Sequence, residues 1–311
     1  MLVFDVCIKA AKLSLDDSSS GFWQNFWISI IGSAIGAGAA LLVFYLESRR
    51  EKKKDAAIKR ENARNALRYF LALLHDIVDF AEKQVANYRE HKTKLHDAPY
   101  EFHLLHIVLA EDLKRVLHRT DHERLFHAFT DEIIMTQETD LVKGFKRVFA
   151  YLDYIMELYN QANSSAEKFM KEHTERMYKY RTLAEDGVLN YCANLGNMIR
   201  SYDPGYQNNP LYQAINNAIT NYYANMHGSP TMERIQNNLV IPLRDLMVQQ
   251  FRFDPHGNTI ADKCRAAVWL YSEIAGRSQF VSQEFDEYAK NMDEIKDKLK
   301  NILGDIKLKA I

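Results

Sequence analysis

The stretch Phe26–Leu46, FWISIIGSAIGAGAALLVFYL, decides how the rest of this 311-residue chain is read, because its 21 residues include no charge. At about 1.5 Å of rise per residue such a helix spans roughly 30 Å, the thickness of a bilayer's hydrocarbon core. Trp23 and Trp27 flank one end and Tyr45 the other, where amphipathic rings favour the lipid–water interface. Arg49-Arg50-Glu51-Lys52-Lys53-Lys54 follows at once, then Lys59 and Arg60. The preceding segment offers only Lys9 and Lys12 against Asp5, Asp16 and Asp17. Lysine and arginine gather on the cytoplasmic side of membrane helices. Arg49, Arg50, Lys52, Lys53 and Lys54 are therefore expected at the inner membrane surface, with the N-terminus outside. Signal-peptide cleavage near Ala37–Ala40 and a buried soluble helix are the rivals. The apolar run continues through LLVFYL, and the charges follow it rather than precede it, which argues against both.

Working outward, Gly32 and Gly36 form a GxxxG pair that Ala40 extends by a turn. Small residues four apart let two membrane helices approach closely, so self-association through this face is expected. On the C-terminal side no proline occurs before Pro99, and the whole chain holds six prolines and twelve glycines. Apolar residues make up 47 % and charged residues 26 %, the composition of a chain that buries a core. The fold class expected is all-α: one N-terminal transmembrane helix, then a cytoplasmic helical bundle with long helices. Residues 1–21 read as a short extracytoplasmic segment and 22–48 as the transmembrane helix. Residues 49–98 read as a basic stop and juxtamembrane helical rod, and 99–311 as the cytoplasmic helical domain.

Within the body, Leu67, Phe70, Leu71, Leu74, Ile77, Val78, Ala81 and Val85 recur at three- and four-residue steps, one face of a helix. A second helix is predicted from Pro99 to Leu117, with Phe102, Leu105, Leu109, Leu113 and Val116 as its face. Thr120 or Asp121 would cap a short helix running through Met135, and Thr139 or Asp140 a long one with a weak point at Ser164-Ser165. Further helices are predicted at 184–199, 211–226, 232–251 and 259–275. Asp203-Pro204-Gly205 through Pro210, His227–Pro230 and Asp254–Asn258 separate them, and Pro242 kinks or opens one of them. Phe285, Tyr288, Met292, Ile295, Leu299, Ile302 and Ile306 make a heptad seam that suits a coiled coil or, preferably, a helix packing back on its own domain. No segment shows strand alternation.

Chemistry is harder to find. Net charge is −1, so nucleic acid is not an expected partner. Cys7, Cys192 and Cys264 match no metal or redox spacing; Cys192 and Cys264 suit a reducing compartment as small core residues, and Cys7 falls on the other side of the membrane. His91, His96, His103, His106, His118, His122 and His127 are dense, but no pair has a companion cysteine or an HExxH arrangement, so no metal site is expected. No cofactor is expected either. Tyr202, Tyr206, Tyr212, Tyr222 and Tyr223 around the proline-rich loop read as buried or interface tyrosines. Arg115-Val116-Leu117-His118-Arg119-Thr120-Asp121-His122 resembles the R-x(4–6)-H signature of HEPN-type ribonucleases. That resemblance implies that Arg115 steadies a scissile phosphate while His122 transfers protons. Val116 stands where the family usually has a polar residue.

The overall layout carries a second resemblance. One N-terminal membrane helix and a basic stop precede a helical body with FKRVFAYLDYIMELYNQA (Phe145–Ala162) and a tyrosine-rich helical stretch. This is similar to the bacterial phage abortive-infection proteins of the AbiC type, over about half of the chain and without any functional residue to carry over. It implies a bacterial inner (cytoplasmic) membrane protein in anti-phage defence, acting through homo-oligomerisation or an unknown protein partner. A membrane-tethered scaffold unrelated to defence is the remaining alternative.

Overall fold

The structure, a computed structural model, describes residues 21–135, 140–225 and 230–308. Thr139, His227, Gly228 and Ser229, expected as cap and loop residues, lie outside them. The chain divides into two compact units, Met1–Leu67 and Arg68–Ile311.

Helix α1 runs without interruption over Gly21–Asp97 and belongs in part to each unit. Ala98 precedes a proline, whose ring disfavours helical backbone in its predecessor, and the helix ends there. The first unit's described part consists of this helix alone. Its stretch Phe26–Asp97 is long and apolar enough to cross a membrane, and none of its most apolar window is buried.

The second unit is all-α in every major element. After α1 come α2 (Glu111–Arg119), α3 (His122–Glu132) and α4 (Leu141–Thr182). Asp121 caps α3 through the Arg124 N–H, and Asp140 caps α4 through the N–H groups of Val142 and Lys143. A π-helical turn, Leu183–Leu189, carries α4 into α5 (Asn190–Tyr202). Next are α6 (Pro210–Ala224) and α7 (Met232–Ile235), a second π turn at Gln236–Val240, and α8 (Ile241–Gln250). Pro242 is the second residue of α8, directly after the π turn. The last helix, α9, covers the 51 residues Pro255–Asp305.

The two longest helices of the body, α4 and α9, pack antiparallel: Ser165 donates to Glu284 at one level and Arg176 to Glu273 at another. Helix α1 runs antiparallel to the second half of α9, with Arg89 on Asp293, Lys92 on Asp286 and the Tyr88 ring 5.7 Å from Phe285. The first half of α9 instead serves a second core formed with the π turns and α5 to α8, including Tyr180, Cys192, Leu239, Leu243, Cys264 and Ile274.

Several expectations need correction. Residues 98–101 make a turn closed by the Glu101 N–H on the Ala98 carbonyl, and 102–109 form a strap outside any helix or strand, not the N-terminal half of a helix. Phe102, Leu104, Ile107 and Leu109 are exposed while Leu105, Val108 and Ala110 turn inward, closer to the alternation of extended chain than to a helical face. Its backbone is satisfied by side chains: Gln84 accepts from the Val108 N–H (2.9 Å) and donates to the His106 carbonyl (3.4 Å), and Tyr159 donates to the Val108 carbonyl (3.0 Å). Helix α3 stops at Glu132 because Ile133–Met135 pairs antiparallel with Ile306–Leu308, a sheet too short to leave a period in the sequence. Ser164-Ser165 does not weaken α4, since the Ser165 hydroxyl is bonded to α9. The helices predicted at 259–275 and beyond 285 are one. Ser278 and Ser282 interrupt the apolar period yet are buried, donating to the carbonyls of Pro99 (3.0 Å) and Lys92 (3.1 Å). The heptad seam of α9 faces its own unit, with Phe285, Met292 and Leu299 fully buried.

Gly257, in the first turn of α9, shows how tightly the α8–α9 corner closes. A Cβ there would lie 2.6 Å from both the Cβ and the carbonyl oxygen of Phe251. Gly257→Ala should therefore destabilise the fold by about 1–3 kcal/mol, read as a lowered midpoint in chemical denaturation. Gly276→Ala, with open space around it, serves as the control expected to leave the midpoint unchanged or raised.

Candidate functional site

The apolar helix is the first candidate. Every residue from Phe26 to Glu47 is exposed, including Leu41 (69 %) and Phe44 (70 %). Water is a poor solvent for such a surface, and soluble monomers rarely expose large contiguous apolar patches. A Cβ added at Gly32 or Gly36 would meet nothing within 4 Å, so among the described residues no packing accounts for these glycines. Ala40 lies on the same exposed stretch. Arg49, Arg50, Lys52, Lys53 and Lys54 follow on the same helix, all exposed.

Arg115 lies in the middle of α2, and His122 is the first residue of α3. Arg115, on α2, donates to Asp112 (2.8 Å) and to the Tyr69 hydroxyl (3.4 Å). His122 opens α3, with Nε2 bonded to the Val116 carbonyl (3.2 Å) and its ring 4.7 Å from that of Phe149. Thr120 donates to the Arg115 carbonyl, which closes the turn between the two helices. The guanidinium charge is thus met by a carboxylate, and one imidazole nitrogen is committed to backbone.

The histidines that look alike in sequence separate in space. His118 ends α2 and His122 begins α3, so their i, i+4 spacing does not place them on one helical face. His103 and His106 lie on the strap, and His103 Nε2 bonds the Ala98 carbonyl (2.9 Å). Among the described residues no group of three His, Cys, Asp or Glu side chains is placed to hold a metal ion. His91 is 3 % exposed, its ring set edge-on to Phe285 at 4.7 Å, with neither nitrogen partnered. His173, on α4, is equally buried. It takes a hydrogen bond to the Glu101 backbone just before the strap and leaves Nε2 unpartnered. Asn163 Oδ1 is also buried with no partner among the described residues. Burial pushes the His91 pKa down to about 4, and the nearby positive charges of His103, Lys94 and His106 act the same way. Burial likewise lowers that of His173.

Sequence reasoning missed this buried polar group. The available signal was position: His173 continues the stripe Ala166, Phe169, His173, Tyr180, and His91 lies between Tyr88 and Leu95 on the buried face of α1. A histidine at an apolar-face position marks a neutral core imidazole. Cys192 and Cys264 are buried core thiols, each pushed up to about 12 by burial, and so are poor nucleophiles. Of the tyrosine cluster, Tyr222 is buried, Tyr206 packs edge-on against Tyr212, and Tyr202 stands out at 84 % exposure.

No known protein family matches the chain, and no curated protein or solved structure does.

The buried imidazole has a consequence for pH. Unfolded, His91 takes up its proton near pH 6.5; folded, it resists protonation down to about 4. The unfolded chain therefore binds more protons throughout that window, and stability falls as pH drops through it. The loss from His91 should reach about 2–3 kcal/mol at the acid end of the window. The aspartates held low by lysines, Asp286 above all at about 2, give way only at still lower pH. His91→Phe should flatten the dependence between pH 6.5 and 4, measured by chemical unfolding at each pH.

Proposed function

We propose that the chain is a single-pass protein of a bacterial inner membrane, its N-terminus outside and its helical body in the cytoplasm. In this reading it acts without catalysis, as a sensor or effector in anti-phage defence of the abortive-infection type, through self-association and contact with a protein partner. The observation that carries it is the fully exposed apolar run Phe26–Leu46 with a basic stop at its C-terminal end. Lipid removes that run from water, and the asymmetry of lysine and arginine orients it. Defence rests on the resemblance in layout to the AbiC-type proteins. Gly32, Gly36 and Ala40, exposed on the apolar run, support self-association as the working mode.

The ribonuclease reading through Arg115 and His122 is the alternative. A guanidinium already paired with Asp112 is poorly disposed to steady a phosphate, which favours the non-enzymatic reading.

Two experiments test these proposals. A membrane-impermeant maleimide added to intact cells should label the wild-type chain and leave Cys7→Ser unlabelled, because Cys192 and Cys264 are buried. Protease cleavage of a C-terminal tag from outside intact cells would reverse the orientation. In a phage-challenge assay, His122→Ala should keep full protection; loss of protection with an unchanged level of folded protein would favour the nuclease.

A further inference from the structure

Each residue of an α-helix advances about 100° around the axis, and this sorts the charges that follow the apolar run. Lys52, Arg49, Lys53, Arg50 and Lys54 fall, in angular order, within a sector of about 200°. Glu47, Glu51 and Asp55, four residues apart, share the remaining stripe of about 80°. The basic run is therefore a cationic face of one helix, with its acids segregated behind it.

Among the described residues nothing pairs with that face. All five cations are exposed, and none makes an ion pair or a hydrogen bond among the described residues. They begin three residues after the last apolar position, Leu46, on the same unbroken helix. When the apolar run occupies a hydrocarbon core, these side chains stand at headgroup depth, where long cationic side chains reach toward the interface.

We propose that this face binds anionic phospholipid headgroups and selects them over zwitterionic ones. The proposal rests on the membrane-spanning reading above and adds a chemical preference to it. Its basis is charge complementarity: five uncompensated cations on one side of a helix match a layer of phosphates with net negative charge. A bilayer of zwitterionic lipid supplies phosphates whose charge is already cancelled by choline. The acidic stripe should make the selected lipids gather on one side of the helix.

The test uses the full-length chain, purified and reconstituted into phosphatidylcholine vesicles containing a trace of spin-labelled phosphatidylglycerol or spin-labelled phosphatidylcholine. Both leaflets then have one composition, so insertion direction does not matter. Electron paramagnetic resonance gives the relative association of the two labels with the protein. The glycerol lipid should be preferred about threefold or more, and the preference should fall toward unity in about 0.5 M salt, where screening is short-ranged. Replacing Arg49, Arg50, Lys52, Lys53 and Lys54 together by glutamine should abolish it. Glu47→Gln with Glu51→Gln should preserve or increase it. A wild-type preference of one, or an undiminished preference in the glutamine variant, overturns the headgroup proposal alone, provided the protein floats with the vesicles and resists alkaline extraction. A chain that does not float overturns both this proposal and the membrane-spanning reading.

Discussion

Apolar surface and water set the terms for this protein. Among the described residues of its unit the helix carrying Phe26–Leu46 is the one element, its side chains are exposed, and an uninterrupted helix gives them no means of folding back on one another. A helix satisfies its own backbone hydrogen bonds, so the one remaining requirement of this segment is removal of its side chains from water. The proposed function is an answer to that requirement. The glycines without neighbours and the uncompensated cations are features that make sense once an outside medium or partner is supplied.

The second unit meets the opposite demand, since it must bury everything it can around one helix. Helix α9 serves two cores in succession: Ile260 to Ile274 with the π turns and the short helices, Val281 to Leu299 with α1 and the start of α4. Where α9 passes from one to the other it carries Ser278 and Ser282 rather than leucines. Each hydroxyl accounts for a carbonyl at or near the end of α1, at Pro99 and Lys92. A buried hydroxyl is stabilising at Pro99 because the chain has left the helix there and the carbonyl has no helical partner. The same economy appears at Gln84, whose amide stands in for a neighbouring strand to the strap.

These substitutions of side chain for backbone explain which parts of the fold were legible in the sequence. The long helices were, because Leu74, Ile77, Ala81 and Val85, or Phe285, Met292, Ile295 and Leu299, repeat at the helical period and have no competing role. The strap was not, since FHLLHIVLA offers apolar residues at both helical and alternating spacings, and the choice is made by Gln84 and Tyr159, more than twenty residues and about fifty residues away in the chain. The continuity of α9 was hidden for a related reason, as serine interrupts a hydrophobic pattern even when it is buried. Of the candidate sites, the apolar run and its basic stop could be read directly, because composition and order alone define them. The buried histidines could not be told from surface ones by counting, and only their place on an apolar stripe sets His91 and His173 apart from His118 and His122.

A π-helical turn amounts to an α-helix holding one residue more than its hydrogen-bond ladder would otherwise fit. Among its described residues the body contains two, Leu183–Leu189 before α5 and Gln236–Val240 before α8. Each therefore acts as a phase shifter. Without the extra residue, everything downstream would be turned by about a quarter of a revolution about the helix axis. Cys192 and Leu195, or Leu243 and Met247, would then rotate off the second core and their solvent-facing neighbours would rotate in. Both insertions fall in the half of the molecule where the helices are short, so at two of the junctions around α9 a one-residue correction of register takes the place of a loop.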